Sequence, residues 1–402
     1  MKTAKTRNMS SPDLINRRKF IKLTSLAAAG VAAGFWGCTS EKTEEQRVED
    51  LVDAVKHTYE DYYNELNSDY VLSQRDVSSV TRVMGEILEK QVLKKGKGIS
   101  EIEAFRTAQT TDDLNTVIEK VLERYNLIYV TGDVLEVLKN QTMGMKNAYI
   151  AEKQSETEKT RDGMKIKTVI TKNPRLKPYN DYMHKQPTIP FTDVDKKTIY
   201  MEDEFLRVNA EQELKYMKNP DEMFSEVKNG FDTLNNLYVN LTISEFKNKY
   251  EELKGDPKIK EKFIDYTIEK TIPAIEAHES QHIIDINSGI LEGTDDRELN
   301  IKTETNAVLS QMMNKGYEYN STRLVIKWML TTPDDSHYHE AGKRLLPMFS
   351  GVIYSNLDSF PSIDQKKLDD NEDILKQIPN MTRDEIREMA RITYDFHKNG
   401  DK

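Results

Sequence analysis

Cysteine is nearly missing from this chain: of 402 residues one is Cys, at position 38. A lone thiol excludes an intrachain disulfide, and because Cys38 ends an N-terminal apolar stretch, no thiolate metal site is available in the rest of the chain. Any metal there must be held by His, Asp, Glu or water. Histidine is scarce as well, with seven copies. A long apolar run is also lacking, since Leu23 to Trp36 is shorter than the ~20 residues of a membrane-spanning helix and contains two glycines. Nor is there a basic excess. Residues 1–37 hold seven of the 58 Lys and Arg and one of the 68 Asp and Glu, which leaves 51 basic against 67 acidic residues and a net charge of −16 beyond them. Such a surface disfavours nucleic acid and anionic lipid as general partners. No internal repeat and no long low-complexity tract is found.

The N-terminus is of another kind. Asn16-Arg17-Arg18-Lys19-Phe20-Ile21-Lys22 precedes the Ala-rich apolar stretch, which ends in Gly37-Cys38. A basic start, a short apolar core and a small residue at the end describe an export signal. The paired arginines followed by Phe, Ile and Lys resemble the twin-arginine signal of bacteria. The position of Cys38 resembles that of the lipidated cysteine of bacterial lipoproteins. These resemblances imply that residues 1–37 are removed, that Cys38 carries a lipid, and that the chain is anchored in the bacterial cell envelope, facing the periplasm or the cell surface. Residues 38–46 then read as an acidic tether.

About 365 residues remain, enough for one large domain or two medium ones. Apolar periodicity predicts helices over Val48–Leu66, Val77–Leu93, Ile99–Ala108 and Leu114–Tyr125. Residues 146–172 turn β-rich around Asp162-Gly163, which suggests a hairpin. Four prolines in residues 173–196 mark a boundary or lid. A short strand, Thr198–Phe205, comes next. Helical patterns follow near residues 208–217, 220–239, 243–254, 257–288, 296–315, 337–355 and 382–398, the last opening on the capping-box sequence Thr382-Arg-Asp-Glu385. The expectation is a mainly α fold with a small β element near the middle. It comprises an N-terminal region, 47–196, and a helical domain, 197–402.

The most informative segment is His278-Glu279-Ser280-Gln281-His282. Two imidazoles four residues apart share a helix face, close enough for one metal ion, and Glu279 is placed to act as a base toward water. Ile272, Ile275, Ile283 and Ile286 supply apolar faces beside them. Thr271 could cap a helix with Pro273 in its first turn, or Pro273 could sit inside a longer helix from near Pro257; Gly289 is suited to end either. A third ligand is expected from the next helix. Glu304, flanked by Ile301 and Val308 on a partly buried stripe, is preferred over Glu298, which lies near the helix start. Asn306 is a further alternative. Asn306, Ser310 and Asp285 are candidates for holding an imidazole N–H. Ser336-His337-Tyr338-His339 offers three donors for a developing oxyanion, with Asp334 or Asp335 as helix cap.

This segment resembles the gluzincin metallopeptidases, which combine HExxH with a glutamate on a following helix, over residues 278 to about 310. The resemblance implies a zincin-like site with Zn²⁺ held by His278, His282 and Glu304, Glu279 as catalytic base, and a peptide or protein substrate. Two other readings compete with it. One is a lipid-anchored binding or assembly protein with a structural or degenerate metal site. The other is a di-iron carboxylate helical protein, for which Glu279-x-x-His282 would need a second Glu-x-x-His that the sequence lacks.

The anchor has a direct test. In cell fractionation the wild-type chain is expected with the membranes and Cys38→Ala in the soluble fraction; Arg17→Lys with Arg18→Lys should hold the chain in the cytoplasm. A Cys38→Ala protein still bound to membranes would rule the lipid anchor out.

Overall fold

The structure, a computed structural model, describes residues 42–68, 111–138, 141–177, 190–219, 232–289, 296–334 and 336–399. Among them are ten α-helices and five strands, so the chain is mainly α with a small sheet, as its periodicity suggests. The helices predicted over 77–93 and 99–108 lie outside the described residues, as do 178–189 of the proline-bearing segment.

Helix α1, Glu44–Ser68, buries Leu51, Val55, Tyr59 and Tyr63. It starts inside the stretch read as a tether, because Thr43 and Gln46 form a capping box: Gln46 N–H donates to Thr43 Oγ1 at 3.3 Å, and Thr43 N–H to Gln46 Oε1 at 3.0 Å. Helix α2, Thr111–Arg124, adds Ile118, Val121 and Leu122 to the same core. It stops at Asn126, whose φ of 58° lies in the left-handed region that Asn tolerates.

Strand β1, Leu127–Leu138, has no counterpart among the sequence-derived elements, although Leu127-Ile-Tyr-Val is a β-rich run. It pairs antiparallel with β2, Gln141–Arg161, which pairs antiparallel with β3, Met164–Leu176. The charged residues before Asp162 are therefore part of strand β2. Ion pairs along the ladder, such as Lys167 with Glu156 at 3.1 Å, replace apolar contacts on that exposed face. Only Asp162-Gly163 turns, both with positive φ (46° and 77°), as a two-residue hairpin requires.

Strands β4, Phe191–Asp193, and β5, Thr198–Glu202, form a second hairpin, and β5 lies parallel to β3. The sheet order is β1-β2-β3-β5-β4, continuous across residues 196–197. All five residues of β5 are buried, so both of its faces are covered. Tyr200 meets the rings of Phe191 and, beyond it, Tyr149 on one face. Ile199 and Met201 meet Ile283 on the other.

The remaining helices are α3, Asp203–Lys218; α4, Asp232–Leu253; α5, Ile259–Asn287; α6, Asp296–Met312; α7, Glu318–Thr331; α8, His337–Ser355; α9, Asn371–Gln377; and α10, Arg383–Asn399. α4 and α6–α10 share one large apolar core. α7 escaped the sequence pattern: its Ser321, Thr322, Val325 and Ile326 are poor helix formers, and burial of all four overrides propensity. Its first residue, Glu318, is fully buried. The carboxylate accepts from the Gly316 N–H, from Arg383 at 2.9 Å and from Arg387, which fastens α10 to α7.

The capping box at the start of α10 forms. Thr382 N–H donates to Glu385 Oε2 at 2.6 Å, and Glu385 N–H to Thr382 Oγ1 at 3.2 Å. Glu385 also accepts from the N–H and hydroxyl of Ser362. Burial would raise its pKa, but these donors outweigh it and hold the carboxyl below the ordinary 4.5. Its contribution is thus complete above that value and disappears as pH falls through the lower folded value. Glu385→Ala should destabilise by about 1–2 kcal/mol at pH 7, and thermal unfolding should show the gap to wild type closing below pH 4. A gap that does not depend on pH would contradict this account.

Candidate metal centre

Helix α5 carries the HExxH segment deep inside the molecule. Pro273 lies within this single helix, so the longer alternative holds and Thr271 is no cap; its hydroxyl donates back to Thr267 O at 2.7 Å. Pro273 lacks the N–H that would bond the Glu269 carbonyl, which loosens the ladder one turn before the motif. The helix ends as expected at Gly289, whose φ is 65°. Ile283 is fully buried against the sheet and Ile272 and Ile275 pack beside it, whereas Ile286 is half exposed and adds nothing to the core.

Helix α6 folds back along α5 and brings Glu304 opposite the histidines. Ile301 and Val308, on either side of it, are buried. Glu304 Oε2 lies 3.3 Å from His278 Nε2 and Oε1 lies 3.7 Å from His282 Nε2. The imidazole rings are 4.9 Å apart, inclined at 75°. One potential ligand atom from each residue falls within 4.8 Å of the others. Four-coordinate ligands about 2.0–2.2 Å from one ion stand roughly 3.3–3.6 Å apart, so the two carboxylate–imidazole separations, 3.3 and 3.7 Å, are of the size a shared ion requires.

The alignment points the same way. Glu304 Oε2 is buried and has no aligned hydrogen bond despite its closeness to His278. Two imidazoles and a carboxylate, all nearly out of solvent, can bind a metal ion.

The alternatives for the third position are engaged elsewhere. Glu298 is held bidentate by Arg344 at 2.6 and 2.8 Å. Asn306 donates at 2.9 Å to Asp285 Oδ2, whose other oxygen accepts from Gln281 at 2.7 Å. The Asn306 amide N–H thus ties α6 to α5 through Asp285, while its Oδ1 is buried without a partner. Burial raises the Asp285 pKa, against the two amides and the nearby His282.

The charges of the group are strongly coupled. Burial alone would lower His278 and raise Glu304; their mutual attraction outweighs it, so His278 is raised and Glu304 lowered. His278 and Glu304 thus favour each other's charged form.

Helix α8 closes another side. Its cap is Ser336, whose Oγ accepts from His339 N–H at 3.0 Å, and not Asp334 or Asp335. The Glu304 carboxylate, then burial and Glu279, push the Tyr338 phenol far above its ordinary range. The Tyr338 ring is fixed against Trp328 and His337. Burial lowers His337, which also feels Glu304 and His282. His339 Nε2 is instead 3.9 Å from Asp334. Of the three proposed donors, His337 and Tyr338 are thus coupled to the site.

Two contributors have no sequence signature. Thr192 of β4 donates its hydroxyl to Glu279 Oε2 at 2.6 Å; it is paired with Ile199 across the hairpin and so shares the face turned to α5. Gln311, seven residues beyond Glu304, is buried near His278. Thr192 lies in a segment whose prolines mask the strand, and its contact spans 87 residues.

No protein-family model, curated protein or solved structure matches this chain. The site must be judged by its own geometry.

Elemental analysis of the full chain purified in detergent and reconstituted with zinc should find one ion per chain. His278→Ala should abolish binding, and Glu304→Gln should weaken it by at least tenfold. Absence of metal from the folded wild type would refute the centre.

Proposed function

We propose that this chain is a zinc-dependent peptidase of the cell envelope, exported by its N-terminal signal and anchored through Cys38. The observation that carries the reading is the convergence of His278, His282 and Glu304 on one point, with Glu279 beside it and already oriented by Thr192. A His₂Glu donor set matches that of catalytic zinc sites, whose fourth position takes water. Bound there, zinc would supply Lewis acidity, making water a nucleophile near neutral pH and polarising a carbonyl.

The residues divide the remaining work. Glu279 takes a proton from the attacking water as its oxygen bonds to the substrate carbonyl carbon. The C–N bond then breaks, and Glu279 returns the proton to the departing nitrogen, so acid and amine leave with no net proton change. Negative charge that develops on the carbonyl oxygen is within the domain of His337 and Tyr338, both kept as neutral N–H and O–H donors. The side chain of Thr192 keeps Oε2 of Glu279 engaged and leaves Oε1 for the water.

A peptide substrate is favoured by β4. It is an edge of the sheet, paired only with β5 among the described residues, and its Thr192 touches the proposed base. An extended peptide could add to such an edge through backbone hydrogen bonds, which brings an amide close to Glu279.

Zinc-loaded full chain should cleave pooled fluorogenic peptides. Glu279→Gln should bind zinc normally while losing about 10²–10⁴-fold in rate. A folded, zinc-loaded protein that cleaves no peptide pool would instead leave a structural metal site in an envelope binding protein.

A further inference from the structure

Imidazole bound to a metal through Nε2 must carry its proton on Nδ1, and a buried Nδ1–H needs an acceptor. In His278, Nε2 is the atom turned to Glu304, and Nδ1 is fully buried without a hydrogen-bond partner. Asp285, two helical turns beyond His278 on α5, is already taken up by Gln281 and Asn306. Three side-chain oxygens of α6 are buried without a partner: Glu304 Oε2 faces Nε2, Asn306 Oδ1 belongs to the amide tied to Asp285, and the third is the carbonyl oxygen of Gln311. Glu304 and Gln311 are two helical turns apart on α6 and so lie on one face, toward α5.

We propose that Gln311 is the positioning residue of the metal centre: its Oε1 accepts the Nδ1–H of His278 and fixes the imidazole with Nε2 aimed at the metal point. The inference rests on the metal-centre reading. Two buried orphans of opposite kind, one donor and one acceptor, satisfy each other in this arrangement, whereas separately each would be an unexplained cost. The influence of Gln311 on His278, which favours the protonated ring as an acceptor does, agrees with it.

The choice of an amide has a chemical consequence. A carboxylate behind the imidazole would add a second negative charge to that of Glu304. Gln311 orients the ring equally well and adds none, so an ion held there keeps more of its positive field for substrate oxygen. Gln311 itself touches neither substrate nor metal.

The test uses the full chain in detergent, ¹⁵N-labelled at histidine, with zinc affinity measured by chelator competition. Gln311→Met removes the acceptor and keeps the volume; Gln311→Glu restores an acceptor. Gln311→Met should weaken zinc binding by about 10–100-fold and Gln311→Glu by less than about threefold, and only Gln311→Met should lose the exchange-protected Nδ1–H signal of His278. A Gln311→Met protein that keeps both zinc affinity and that signal overturns the assignment. So does a wild-type His278 whose proton lies on Nε2 in the zinc-loaded form, a measurement that needs no variant to fold. If wild type takes up no zinc, the metal reading fails; the Nδ1–H signal of the zinc-free protein, lost or kept on Gln311→Met, still decides the bond.

Discussion

Glu304 is a carboxylate almost removed from solvent, and a charge in that position must be compensated where it stands. Its two oxygens face the two imidazoles of α5, at 3.3 and 3.7 Å. This single requirement sets the register of α5 against α6, because sliding either helix by one turn would strand a buried charge. The tie between Asn306 and the Asp285–Gln281 pair, one turn further along, repeats the constraint with neutral amides. Around these contacts the packing is apolar, with Ile283 on the sheet side and Ile301 and Val308 on the helical side. The polar groups are thus confined to one seam.

The rest of the scaffold delivers groups to that seam from two directions. The sheet presents β4, and through it Thr192, to Glu279. Lys159 of β2 pairs with the buried Glu276, two residues before His278, and so fastens the long hairpin to the same helix. From the other side α8 contributes His337 and Tyr338; the Tyr338 ring lies tilted against Trp328 of α7, and His337 lies against Tyr338. Buried ion pairs farther away, with Glu318 between Arg383 and Arg387 and Glu213 against Arg323, lock α10 to α7 and α7 to α3. Breaking such pairs is costly because the remaining charge is left buried.

Much of this could be read in the chain. The hydrophobic period located most described helices, Asp162-Gly163 located a hairpin turn, and Thr382 with Glu385 located the start of α10. The HExxH spacing brought His278 and His282 together because four residues is nearly one helical turn. Glu304 was preferred over Glu298 from its flanking Ile301 and Val308, and burial of both is what turns it inward. By contrast, β1, β4, α7, α9 and the first turn of α1 are absent from the sequence pattern, and α4 is a single helix across the break between 239 and 243. Weak local propensity in α7 is overridden by packing, and the Thr43–Gln46 box marks a helix start within a polar run that reads as linker.

The sequence by itself determined which chemistry is open to this protein. With one thiol and seven histidines, any metal site beyond Cys38 is confined to imidazole, carboxylate or water, and helix periodicity alone placed two of the candidate ligands and the proposed base together. Tertiary structure decided everything that depends on groups far apart along the chain. Thr192 lies 87 residues from Glu279, Glu298 is withdrawn by Arg344 from the opposite helix, and His339 points to Asp334 while Tyr338 faces Glu304. Periodicity assigns a residue to a face of its own helix. Only the packing of one helix on another assigns that face a partner.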